Sequence, residues 1–185
     1  MGFGKAFGFS LLTYIGLNFL FIIIVWTLNG HLNDLFTAIS SNPLIILLIF
    51  FGSTIQLPGT VFFSMYGQIA TGLIDYNLIE SIGYIVTPLI AALVAGRVGE
   101  KKAGSFGGFF LTSIIGSIIL GILAFISAPI IVSSGYLIVD PTFLGLFGII
   151  ITDPTSIFII LLLAGVTSGV FYGAFSLMFT KTEYY

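Results

Sequence analysis

The sequence predicts an all-α polytopic membrane protein: four to five transmembrane helices, plus a half-length or interfacial helix near 141–151, in one helical domain over 1–185. Three observations predict it. The composition is 58% hydrophobic and only 6% charged, whereas a soluble domain carries about a quarter of its residues charged. Several apolar runs reach the roughly 20 residues that a hydrocarbon layer of about 30 Å requires. The five basic and seven acidic residues lie at the ends of these runs or between them.

The first run, 6–28, is apolar apart from Thr13 and Asn18, and Trp26 near its end suits a membrane interface. It is too long for a signal-peptide core and no small-x-small site follows, so it reads as a retained span. The loop NGHLNDLFTAISSN (29–42) places Leu32, Leu35, Phe36 and Ile39 at helical spacing, which predicts a small amphipathic turn. Asn42-Pro43 reads as a helix start. The run that follows is broken by GSTIQLPG (52–59) and resumes to Ile74. These 32 residues, 43–74, are too many for one straight span and too few for two. They form either one kinked helix or a re-entrant pair, the latter tolerable only under protein cover.

A further span is expected over 78–98 with a kink at Pro88, and another from Ala103 to about Ala128, stopping at Pro129. VDPT (139–142) and TDPT (152–155) each read as Asp at an N-cap and Pro at the first helical position. The stretch between them is about 16 Å long if helical, half a bilayer. The last span, 155–180, closes with Lys181.

Threading follows from the basic residues, which favour the cytoplasmic side in short loops. AGRVGEKKAG (95–104) concentrates Arg97, Glu100, Lys101 and Lys102, and is expected to be a cytoplasmic turn, with the C-terminus on the same side. A single kinked span over 43–74 leaves Lys5 on the opposite face. A re-entrant pair brings all five basic residues to one side and leaves five of the seven acids on the other. Both threadings stay open at this level. Arg97, Lys101 and Lys102 are also candidates for docking a cytosolic partner or anionic lipid.

Packing signals are sharper. Gly104, Gly108, Thr112 and Gly116 recur every four residues, with Ser113, Ser117 and Gly121 beside them. Gly165, Gly169 and Gly173 form a double GxxxG. Small residues at this spacing let helix backbones approach closely, either within the chain or against another subunit.

Chemistry is scarce. Without cysteine and with His31 as the one histidine, no metal, iron–sulfur or haem site is expected, and no Ser/His/Asp arrangement is credible. A net charge of −2 gives no reason to expect nucleic acid. All charges are placed at span flanks or in loops, Asp75 and Glu80 among them, so a proton relay or intramembrane protease is not expected. The neutral polar residues at depth include Asn18, Gln56 and Gln68, which need partners in lipid. Unwound backbone around the break suggests a pocket built on Gln56, Pro58, Gly59 and Gln68.

The segment TPLIAALVAGRVGEKKAGSFGGFF resembles a loop of major facilitator transporters through Arg97, Gly99, Lys101 and Lys102. Gly96 stands where that motif has an acid, and twelve spans do not fit 185 residues. In size, Gly-rich hairpin and expected cytoplasmic C-terminus the chain is similar to the S-components of energy-coupling-factor transporters, which implies a solute-binding module. It departs from them in span number, and its first helix offers only Ala6, Gly8 and Gly16 as small residues. The leading expectation is a non-catalytic accessory subunit of a larger complex in the cell membrane, contacting lipid and other membrane subunits and needing no cofactor. A solute-binding or transport module is the alternative, and an enzyme acting on lipid is a second.

Overall fold

The computed structural model describes residues 2–72, 74–133 and 154–180, and all of its regular structure is helical. The half-length helix expected near 141–151 lies outside the described residues. Among the described residues four helices are long and apolar enough to cross a membrane, so the chain is a multi-pass membrane protein in contact with lipid.

Helix α1, Gly2–Leu28, has 27 residues and is about 40 Å long at 1.5 Å per residue. Its threonine hydroxyls bond back to the helix itself: Thr13 donates to the Phe9 carbonyl at 2.8 Å and Thr27 to the Ile23 carbonyl at 2.7 Å. The expected amphipathic turn is a complete helix, α2, Leu32–Ser41, which buries Leu35 and Ala38 and leaves Phe36 exposed. Asn42 starts the next helix two residues later than its sequence suggests. Its side chain accepts from the Leu44 amide at 3.2 Å, holding Pro43 and Leu44 in a turn before α3, Ile45–Phe51.

A single 3-10 turn, Gly52–Thr54, ends this arm, and α4, Pro58–Ala70, begins with Pro58 at its first turn. Proline is suited to that position because the amide it lacks would have had no helical acceptor. The axes on either side of the break differ by 89°.

Helix α5, Tyr76–Val98, is capped by Asp75, whose carboxylate accepts from the Asn77 amide at 2.9 Å and from its side-chain amide at 3.0 Å. It starts two residues before the expected Leu78 and continues through Pro88. Helix α6, Lys102–Ser133, likewise continues past Pro129, where the sequence reading stopped it. A proline removes one hydrogen bond but does not end a helix whose other backbone groups have no alternative in lipid. Helix α7, Pro154–Phe179, opens on the proline of TDPT as expected.

The packing order decides the threading. Gly2 lies against Glu100, and Gly83 against Phe21, so α1 and α5 run antiparallel. Gly104 faces Phe3, Gly108 faces Ala6 and Phe7, and Thr112 donates to Ser10 at 3.1 Å, so α1 and α6 run parallel. Along α7, Gly165 meets Ser117, Gly169 meets Phe110 and Ser113, and Gly173 meets Phe106, in antiparallel order to α6. The start of α1, the α5–α6 turn and the end of α7 therefore gather at one end of the bundle. The segment from Asn29 to Asp75 begins and finishes at the other end. It is a re-entrant excursion between two full spans, not a fifth crossing.

The excursion is deep. The Tyr14 hydroxyl, halfway along α1, is 2.7 Å from Thr54 Oγ1, and Gly116 packs on Phe51 and Thr54. Phe51, Ser53, Thr54, Ile55, Gln56 and Pro58 are all buried, so the broken backbone has the protein cover it needs. On α4, by contrast, Phe63 and Tyr66 are 78% and 72% exposed, on the lipid side of the bundle.

Candidate functional site

The broken segment forms one wall of a cavity of about 60 Å³ in the half of the bundle away from the basic end. Helix α1 contributes Asn18, Phe21 and Trp26, the break contributes Gln56, and α5 contributes Glu80 and Tyr84. Leu35 of α2 completes the lining, packed with Trp26 in a small apolar cluster. Most of the wall is aliphatic or aromatic, and a few polar groups converge on it, the composition of small-ligand sites in general.

Each polar side chain is positioned by an identifiable contact. Asn18, 5% exposed, donates through Nδ2 to the Phe50 carbonyl at 2.8 Å. That carbonyl lies at the end of α3, where the helix has run out of its own donors. Because a carbonyl only accepts, the bond also fixes which way the Asn18 amide faces. Glu80, 6% exposed, accepts from the Tyr84 hydroxyl one helical turn on, at 2.5 Å. Gly83, between them, brings the Phe21 ring against α5: a Cβ there would stand 2.7 Å from the ring.

Glu80 departs from its expected place at a span flank outside the membrane core. The Asp75 cap starts α5 at Tyr76, so Glu80 lies a full turn inside the helix and turns into the bundle. The signal was present in Asp75-Tyr76-Asn77, an Asp followed two residues later by an amide donor, and in the i, i+4 spacing of Glu80 and Tyr84.

The pocket residues expected from sequence separate. Gln56 lines the cavity. Pro58 is buried as the first residue of α4, and Gly59 is exposed with open space where a side chain would stand. Gln68 is elsewhere, with Nε2 at 3.4 Å from both Ser64 Oγ and Ser81 Oγ, tying α4 to α5.

Gly104, Gly108, Thr112, Gly116, Gly165, Gly169 and Gly173 all make their close contacts inside the chain, and Ser113 adds a 2.8 Å bond to the Gly165 carbonyl. Arg97, Lys101 and Lys102 are exposed in and beside the α5–α6 turn. Lys5 joins them, 3.9 Å from Glu100. That pair is half-exposed and contributes little energy, but it marks the α1 terminus and the turn as neighbours. Among the described residues no three His, Cys, Asp or Glu side chains cluster in a way that could hold a metal ion. No protein-family model, characterised protein or solved structure matches this chain.

Proposed function

We propose that the chain is a small-solute binding or transport module of the cell membrane, with the cavity beside the helix break as its binding site. One observation carries this reading: Asn18, Gln56, Glu80 and Tyr84, from three separate segments, converge on one cavity inside a membrane-embedded bundle. Polar groups at such a depth are expensive, and helix breaks that expose them characteristically line solute paths. The accessory-subunit reading drew on small-residue faces beyond the needs of one chain. Those faces pack within the chain, on α1, α6, α7 and the break itself, so they do not by themselves speak for a partner subunit. We assign no catalytic step to the chain.

The basic end carries Lys5, Arg97, Lys101 and Lys102, and we place it in the cytoplasm with the end of α7. The cavity then lies in the half of the bundle toward the outer face. This supports uptake or sensing of an external solute.

Thermal unfolding of the full chain in detergent, titrated with small amines, amides and polyols, tests the site. At least one class should raise the melting temperature saturably, since a ligand at 100 times its Kd adds about 2.7 kcal/mol of stability. Gln56→Leu should fold and lose most of that shift. An undiminished shift in Gln56→Leu would place the site elsewhere.

A further inference from the structure

We infer that the cavity takes a small ammonium cation, ammonium itself or methylammonium, held by Glu80. This deepens the solute-binding reading above and rests on it.

Glu80 is buried in the cavity wall, and among the described residues no basic side chain shares that wall. Arg97, on the same helix, is 17 residues away, about 25 Å. Lys5, Lys101 and Lys102 are at that far end too, and His31, near the mouth of the excursion, is exposed and turned to Asp34 at 2.8 Å. Among the described residues, the hydrogen bond recorded on the Glu80 carboxylate comes from the Tyr84 hydroxyl, on Oε1. A buried carboxylate with a single hydrogen bond is incompletely compensated.

The remaining groups point to what completes it. The Asn18 amide gives one N–H to the Phe50 carbonyl, and its Oδ1 can only accept. Tyr84 donates its proton to Glu80, so its oxygen also has only lone pairs to offer. Gln56 brings an amide with both donors and an acceptor, so the neutral polar groups are mixed; among the described residues the formal charge on the wall is the carboxylate's alone, and the group that suits it is a donor with positive charge. Phe21, Trp26 and Tyr84 add aromatic rings, which attract ammonium ions through their faces. A calcium or magnesium ion, which takes six or more oxygens and more than one carboxylate's charge, is poorly matched to a single carboxylate among neutral groups. Size favours a compact cation over a bulky one, since the cavity is only about 60 Å³.

The chain has a single tryptophan, Trp26, and it stands in the cavity wall, so its emission reports on the site directly. Titrating the full chain in detergent, at constant ionic strength, with ammonium, methylammonium, sodium, tetraethylammonium and neutral acetamide separates the possibilities. Ammonium and methylammonium should change Trp26 emission saturably, and tetraethylammonium, too large for the cavity, should not. Glu80→Gln should keep the native emission spectrum and weaken both responses at least tenfold. Tyr84→Phe, which removes the neighbouring hydroxyl but not the carboxylate, should retain ammonium binding with a smaller loss. A saturable acetamide response that survives Glu80→Gln, with no preference for ammonium, overturns the cation inference and leaves the solute-binding reading standing. A sodium response stronger than that of ammonium also overturns it. No saturable response to any probe counts against both. A Glu80–Tyr84 pair that only braced α5 would give equal responses in wild type and Glu80→Gln.

Discussion

At the scale of single residues, the glycines divide by what a methyl group would strike. At Gly8 on α1 nothing lies within 4 Å of a built Cβ, whereas at Gly96 the new atom would meet the Ser176 carbonyl, and at Gly165 the Ser117 hydroxyl. A backbone carbonyl in a packed helix cannot step aside as a side chain can. Overpacking of that kind costs about 1–3 kcal/mol. Gly96→Ala should therefore lower stability by about that amount in a reversible unfolding titration, and Gly8→Ala should leave it unchanged or slightly raise it, alanine being the better helix former. Equal effects at the two positions would mean that α5 and α7 are not in close contact. Spacing alone marked Gly165, Gly169 and Gly173 as packing residues because they repeat. Gly96 follows Ala92 at the same spacing on its own helix, a small-residue pair less conspicuous than a run of glycines. Its role depends on where α7 passes, a long-range fact that a local motif does not carry.

At the scale of elements, the short helices α2 and α3 have little to hold them except each other and α1. Leu35, 2% exposed, packs with Ile45, Ile49 and Trp26, joining all three elements and closing one side of the cavity. Truncating it removes the largest side chain that α2 buries. Leu35→Ala should cost about 2–5 kcal/mol, the range of buried Leu-to-Ala changes, and should shift Trp26 emission to the red as water reaches the ring. A stability loss without any spectral change would mean that α2 is a strut remote from the cavity. The existence of α2 was legible in the spacing of Leu32, Leu35 and Ile39. Its buried face was only half legible, since Phe36, expected with that group, is 48% exposed. The extra apolar residue makes sense in lipid, where an outward phenylalanine costs nothing. The same property hides inward and outward faces throughout α1 and α7, whose apolar residues run all the way round.

For the whole molecule, the question left open by composition was whether the chain crosses four or five times between Lys5 and Thr180. Counting residues could not answer it, because 32 residues suit a kinked span and a re-entrant pair equally well. The glycine contacts answer it by register: Gly2 beside Glu100 requires that the α1 terminus and the α5–α6 turn share an end. The outcome also satisfies the charge rule better, since Lys5 then joins Arg97, Lys101 and Lys102. An isolated lysine is a weak argument, but a lysine and a packing register that agree are a strong one. Because the chain contains no cysteine, the arrangement is testable without background. Single cysteines replacing Lys5, Lys101 and Asp75, all exposed, should label with a membrane-impermeant maleimide in two groups. Lys5→Cys and Lys101→Cys should react only after the inner face is opened, and Asp75→Cys should react in intact cells. If Lys5→Cys instead labels with Asp75→Cys, the excursion is a true fifth crossing, and α1 cannot lie against α5 and α6 as described. If all three labels exchange sides together, the fold stands and only its cytoplasmic assignment reverses, because the packing register is indifferent to which end faces the cell interior.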